Sequence, residues 1–505
     1  MSAVPASDIS SHRRRVLGFT ALLATFMQGA NVSIPNAALP HIQGALSMAD
    51  DEVGWLFTAF LMATILAIPL TPWLAGRFGR RLVFQIAMVI FALGLLLGTL
   101  ANSPISVVVA RVVQGAAGGT LVPLSGLVLF EVWSPARRPG IGLWLNVCVL
   151  FGISSGPAIG GWLSEYHGWT SIFYFSLPMV AFIFLAVTLL LPEKKPAQPP
   201  SFDFFGFGAF ALGVTGLQML LDRGERLEWL ASKEIWAEAM ASALGFYLFV
   251  VHVLTSRAHF FEKALFRDRN FVASVVMYFA VGFVLLPTLA LTSPMLEELL
   301  NYPVDTAGYM TIPRGITLLG AAVLMGFVPA GIDRRILLVG GMAIVVSANW
   351  RMLGYSPGMD WQEVAGVLFL QGIGVGISIP ALANTAFSTL DLKYHPEGRA
   401  IFNLTRLYGG TIGIAVVQLF FYGNTQAMHL ALAKSLTPYR AAAHLTGHLA
   451  KPGLAALNEM ITGQAAIVAV IGQFKILLLA ALVVSPLALL LRKPRPATQF
   501  PEPAK

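Results

Sequence analysis

Residues Arg111–Pro123 read RVVQGAAGGTLVP, and the pattern returns at Gln371–Pro380 as QGIGVGISIP. Gln114-Gly115, Gly119 and Pro123 recur as Gln371-Gly372, Gly376 and Pro380, each 257 residues further on (114 to 371, 119 to 376, 123 to 380). The same offset carries Gly152 and Gly156 onto Gly409 and Gly413, and an offset of 254 carries Arg80-Arg81 onto Arg334-Arg335. Chance easily supplies one match among 48 glycines, but not the whole set in order. The chain therefore holds two related halves.

Both halves are apolar. Hydrophobic residues make up 56% of the 505 and charged residues 11%, with a mean hydropathy of +0.73. A soluble protein is about a quarter charged, and a disordered one combines high charge with low hydrophobicity. Both classes are excluded. Apolar runs fall near 16–39, 53–73, 82–101, 105–130, 139–162, 171–191, 204–221, 237–256, 271–293, 306–329, 336–354, 364–389, 400–422 and 466–491. Each is long enough to cross a hydrocarbon core about 30 Å thick. The first follows Arg13, Arg14 and Arg15; it is too long for the apolar core of a signal peptide and is expected as a retained span.

Six runs, an unpaired two and six more predict an all-α membrane protein of about fourteen helices. Its architecture is two pseudo-symmetric six-helix bundles with two extra helices between them. The expected divisions are a bundle at 1–200, the extra pair at 201–262, and a bundle at 263–505 with an outer loop at about 423–465. Two bundles about an axis are transporter architecture, with the site near the midplane.

The net charge of +8 is a topology signal. With the N-terminus in the cytoplasm, the inner segments collect Arg77, Arg80, Arg81, Arg137, Arg138, Lys194, Lys195, Arg257, Lys263, Arg267, Arg269, Arg334, Arg335, Lys393, Arg399 and the tail from Arg492. With Arg13, Arg14 and Arg15, that is about 22 of the 33 Lys and Arg, against about 6 outside, as the positive-inside rule requires. Nucleic acid is not needed to explain it. The lone Cys148 excludes an intramolecular disulfide or a CxxC site. No Gly-Lys dipeptide supplies a Walker A loop and no HExxH pair a zinc site, so no cofactor or metal is expected. Energy for work must come from a gradient.

RxxQGxxGG, here Arg111, Gln114, Gly115, Gly118 and Gly119, and GxxxGPxxGG, here Gly152, Gly156, Pro157, Gly160 and Gly161, resemble motifs of the fourteen-span drug:proton antiporters of the major facilitator superfamily (EmrB/QacA type). Leu220–Trp229 (LLDRGERLEW) and Ser356–Trp361 (SPGMDW) are similar to outer loops of EmrB-like members, so the resemblance covers nearly the whole chain. It implies the major facilitator fold, proton-coupled multidrug efflux across a bacterial inner membrane, and a fifth span that seals the pathway. It also implies a proton-coupling role for Arg111, and a periplasmic membrane-fusion adaptor and outer-membrane channel as partners. Pro72–Arg81 (PWLAGRFGRR) resembles the superfamily's loop motif in Arg77, Gly79, Arg80 and Arg81, but Gly76 stands at the usual Asp position and Pro72 at the leading Gly. Asn31 stands where the family pattern has an Asp, and an amide cannot carry a proton at physiological pH.

All 25 acidic residues are assigned to loops, tails or span edges, while Arg111, Arg314, Arg351, Arg406 and Lys475 fall inside or at the rims of spans. A lipophilic cation needs a buried carboxylate. The expected substrate is therefore a hydrophobic neutral or weakly acidic compound met by Arg111 or Arg406; alternatively, both arginines are satisfied by carbonyls and glutamines. Gln28, Asn31, Arg111, Gln114, Gln371, Asn384, Asn403 and Arg406 are the expected polar contacts, with Phe or Met walls. Glu131, Asp203, Asp222 and His252 are the candidate proton carriers; Asp203 and Asp222 flank the unpaired spans. A substrate-borne proton is the other route. In the outer segment His429, His444 and His448 are too scattered for a metal site, and amphipathic helices are expected at HLALAKSL and KPGLAALNEMI, with an apolar face for a partner. An exporter of an endogenous metabolite, lipid or siderophore is the alternative function, and a membrane-embedded enzyme or receptor, for which no catalytic arrangement speaks, is the further one.

Overall fold

Inside hydrocarbon every backbone N–H and C=O needs an internal partner, so an uninterrupted apolar run closes into a helix. The computed structural model describes residues 10–133, 138–192, 201–256, 262, 264–329, 332–356, 359–391, 394–435 and 451–491. Among them, fourteen helices are long and apolar enough to cross a membrane: α1 Ser11–Leu46, α2 Trp55–Phe78, α3 Arg80–Thr99, α4 Pro104–Val132, α5 Gly140–His167, α6 Ser171–Leu190, α7 Phe204–Arg223, α8 Lys233–Thr255, α9 Arg269–Leu299, α10 Val304–Gly326, α11 Arg334–Met352, α12 Trp361–Phe387, α13 Glu397–Lys434 and α14 Asn458–Leu490. Each of the fourteen apolar runs falls on one of them. The protein is a multi-pass membrane protein.

The structure differs from expectation at the helix ends. In α1, Pro35 falls within a 3-10 turn, Ile34–Ala38, after which the helix resumes at Leu39–Leu46. The helix carrying α13 runs unbroken from His395 to Ser435, and that of α14 begins at Lys451. At 1.5 Å per residue the 41-residue helix is about 60 Å long, twice the hydrocarbon thickness. The expected outer loop at 423–465 is thus helical on both flanks, where His429 meets Asn458 at 3.1 Å. His444, His448, Arg137, Lys194, Lys195, Arg257, Lys263, Lys393 and the tail from Arg492 lie outside the described residues.

The sequence repeat becomes a repeat of helix contacts. In the first half α2 packs on α4 and α1 on α5; in the second, α10 packs on α12 and α9 on α13. Glycines set the spacing. Gly115 and Gly119 of α4 lie against the carbonyls of Phe60 and Thr64, while Gly372 and Gly376 of α12 lie against those of Arg314 and Leu318. Gly152 of α5 lies on the Phe26 carbonyl and Gly409 of α13 on that of Phe279. A Cβ at any of these positions would overlap a backbone atom, so only glycine lets the helices approach this closely.

Two rims can be distinguished by sequence: a basic rim, with Arg77–Arg81 and Asp333–Arg335, and the rim opposite. The halves touch most closely toward the opposite rim. There Gly161 of α5 meets the Val304 carbonyl of α10, Gly308 meets that of Pro157, and Tyr166 donates to Asp305 at 3.2 Å. At the basic rim Arg399 lies over the Phe130 ring at 5.2 Å. The extra helix α7 sits at the seam, touching α2 and α13, with α8 behind it. Only 11% of the α8 span is buried, and Met240, Tyr247 and Leu254 point outward as a lipid-facing surface requires.

Candidate functional site: a cavity at the seam

Near mid-length the helices part around a narrow cavity. The first half lines it with Gln28, Val32, Thr64, Ile68, Gly118, Gly119, Val122, Val149 and Ile153, and α13 closes it with Asn403, Arg406 and Leu407. Gly118 and Gly119 leave room by lacking side chains. The walls are aliphatic, which corrects the expectation of Phe or Met: only branched side chains and glycines fit where four helices of one half converge this closely. No carboxylate is among the described lining residues. Toward the opposite rim Val32, Ser33, Asn36, Phe57, Leu61, Leu286, Leu289 and Ile414 close together as a mainly apolar plug drawn from both halves.

Arg406 is the charged group of the cavity. Its backbone is pinned where Gly282 of α9 packs on its carbonyl, and the residue is 3% exposed. Nη2 donates to Asn403 Oδ1 at 3.1 Å, and the guanidinium stands 5.9 Å from the ring centre of Tyr278, which itself stacks on Phe402 at 3.9 Å. Nη1 is buried and has no partner. A cation held this way, with one donor free in an apolar cavity, is equipped to receive an acceptor from outside the chain.

Arg111 is placed differently. Nε donates to the Leu56 carbonyl at 2.9 Å, Nη1 to Gln114 Oε1 at 2.8 Å and Nη2 to the Asn31 carbonyl at 2.9 Å, with the Phe60 ring 4.2 Å from the guanidinium carbon. Gln114 donates onward to Gly94 at 2.9 Å, and the Asn31 amide donates to Met27 and Ser176 at 2.9 and 3.0 Å. The network joins α1, α2, α3, α4 and α6 within the first half and does not line the cavity.

The sequence-derived set therefore splits. Gln28, Asn403 and Arg406 share the cavity; Asn31, Arg111 and Gln114 form the network beside it. Gln371 lies in the second half, donating to Thr288 at 3.4 Å, and Asn384 is exposed on α12. Asp203 caps α7 through Gly206 and sits 2.8 Å from His252, whereas Asp222 bonds Gln218 at 2.9 Å. Thr58, Thr64, Gln218 and Thr411 were not singled out from sequence. Only Gln218 carried a signal, its spacing of one helical turn from Asp222.

Gly152, Gly156 and Gly160 seat α5 on α1, while Pro157 and Gly161 face α10 across the seam. In the loop motif Gly79 takes φ +88°, a left-handed conformation that favours glycine, and Arg77 stacks on Trp73 and Phe78. Arg80 pairs with Glu131 at the end of α4, so the link from this loop to α4 has a carboxylate although Gly76 offers none.

This arrangement of halves, seam and midplane cavity defines a transporter fold. The chain belongs to the Major Facilitator Superfamily, whose family model matches residues 21–414. It is 31% identical over 459 residues to the fatty acid resistance protein FarB of Neisseria gonorrhoeae, covering 88% of this chain and 90% of that one. It is 28% identical over 420 residues to the multidrug export protein EmrB of Escherichia coli K12, covering 83% and 82%. Among solved structures, an inward-facing, unoccupied bacterial homologue of the human lysosomal transporter Spinster superposes with a TM-score of 0.64 at 14% identity, covering 95% and 98%. The D-xylose-proton symporter gives 0.56 at 15% identity, covering 93% and 97%. At these identities the structural likeness shows the fold alone.

Proposed function

We propose that this protein is a secondary exporter of the bacterial inner membrane, exchanging hydrophobic neutral or weakly acidic compounds for protons by alternating access. One observation carries the substrate class: a buried arginine with a free Nη1 in a cavity whose described lining holds no carboxylate. An acidic head group supplies the missing acceptor and aliphatic walls receive its apolar body; a lipophilic cation would meet a like charge in low dielectric. A fatty acid, named in the resistance of one relative, and export of multiple drugs, named for another, both fit such a cavity.

The orientation follows from the charges. With the basic rim in the cytoplasm, the rim where α5 meets α10 faces outward, sealed by that contact and by the apolar plug. Gly152, Gly156, Pro157, Gly160 and Gly161 act in that seal. The long helices of α13 and α14 then project outward, where a periplasmic adaptor leading to an outer-membrane channel would dock. A transporter, rather than an enzyme or receptor, accounts for two halves rocking about a shared cavity.

The test is flux in proteoliposomes, comparing an aromatic weak acid with a quaternary ammonium, with and without a pH gradient. The acid is expected to be the better substrate, and Arg406→Gln to slow its flux roughly ten-fold, the equivalent of one lost charge-assisted hydrogen bond. Preference for the ammonium would refute the assignment.

A further inference from the structure

Helix α7 belongs to neither repeat, yet its polar residues reach both halves. Asp222, on its last turn, accepts from Gln218 Nε2 at 2.9 Å and lies beside the Thr58 hydroxyl of α2, which donates to the Gly54 carbonyl at 3.4 Å and can rotate to the carboxylate. Gln218, 2% exposed, also donates to the Thr411 carbonyl of α13 at 3.4 Å. The two side chains thus tie α2 to α13 through α7, on the side of the seam where Gly54 lies against Gln418 and the halves are closed. Gln218 Oε1 is buried with no donor.

The charges around Asp222 do not offset its own. Arg223, its neighbour in sequence, is committed to Glu234 and Glu238 of α8. Arg226 faces Glu52 at 3.9 Å. The charged side chain that acts on Asp222 is Glu238, a like charge, and the groups presented by α2 and α13 are Thr58 and the Thr411 carbonyl, neither titratable.

The other candidate carriers are confined to one side. Asp203 is held by His252 within the α7–α8 hairpin, and Glu131 by Arg80 within the first half. The pairing of Asp203 does not span the two halves. That of Asp222 does.

We propose that Asp222 is the proton-binding group of the transport cycle. It takes a proton from water when the opposite rim opens and Thr58 parts from Thr411. Closure then returns it to the seam as the acid, with its O–H turned to the Gln218 oxygen once that amide rotates. The return of the empty carrier thereby consumes a proton, and release on the other side completes the exchange. The proposal rests on the exporter reading above.

The test uses the full-length protein in liposomes loaded with a pH dye, with labelled octanoate as probe and protein-free liposomes subtracted. Two quantities are read: octanoate exchange without a pH gradient, and proton movement driven by an octanoate gradient. Asp222→Asn is expected to keep exchange within about two-fold and to lose proton movement roughly ten-fold or more, while Asp203→Asn keeps both. Proton movement at the wild-type level in Asp222→Asn, or its loss in Asp203→Asn instead, would overturn the proposal. Should Asp222→Asn not fold, Thr58→Val serves. Removing a donor to the carboxylate favours its protonated form, so the midpoint of proton movement moves to higher pH, and an unmoved midpoint overturns the proposal. A wild type showing neither exchange nor proton movement would sink the exporter reading itself.

Discussion

The two halves share their backbone contacts and differ in where their polar groups go. In the first, Arg111 of α4 makes three hydrogen bonds and covers the Phe60 ring. In the second, the position 257 residues on is Leu368, and the buried cation arrives from the facing helix instead: Arg314, 254 residues after Phe60, donates to the Leu285 carbonyl at 3.1 Å. Gln114 has partners for both ends of its amide, whereas the Gln371 oxygen has none. The helices are held in the same frame by glycine against carbonyl, so the frame tolerates either helix supplying the cation. The Arg111 network is saturated, although Asn36 Oδ1 and Ser125 Oγ elsewhere in the first half are not. The second keeps unpartnered donors and acceptors, and its Arg406 faces the cavity.

This contrast can be broken in three ways. The largest effect is expected where the halves are alike: Gly119→Leu and Gly376→Leu each force two backbones apart, costing at least about 3 kcal/mol, and both should remove the monodisperse species in detergent. Survival of one but not the other would mean that the repeat is not structurally equivalent. Next, Arg111→Met removes the side-chain donor from the Leu56 and Asn31 carbonyls and leaves the Gln114 oxygen without one, at about 3 kcal/mol, whereas Arg406→Met releases Asn403 and Tyr278. Thermal unfolding in detergent should separate them by several degrees; equal losses would erase the distinction between scaffold and cavity arginine. The smallest effect sharpens the same point. Gln114→Leu orphans Arg111 and Gly94, about 1–3 kcal/mol, while Gln371→Leu deletes an amide already half unsatisfied and should be near neutral or stabilising.

Much of the architecture is legible before any coordinates. The glycine offsets at 115, 119 and 152 identify the paired helices because a missing Cβ is written in the sequence while the contact it permits is dictated by helix geometry. The site was legible only in part. Gln28, Asn403 and Arg406 were among the expected contacts, yet nothing local distinguishes Arg406 from Arg111: both are arginines in apolar helices with an amide three residues away. Thr58 and Thr411 left no signal, since a lone threonine in a helix ordinarily bonds back to its own turn. The helical flanks of the 423–465 segment were legible as the amphipathic stretches HLALAKSL and KPGLAALNEMI; what sequence did not show is that the first continues α13 without a break.

Hydropathy, the internal repeat and the distribution of arginines determined by themselves that the chain crosses a bilayer many times in two related halves, because lipid forbids any unpaired backbone and so leaves helices as the only solution. Which arginine is sealed into the frame and which stands free in the cavity was decided by tertiary structure alone. Hydrogen-bond saturation depends on carbonyls contributed by helices distant in sequence, and those carbonyls carry no residue identity that a sequence could display.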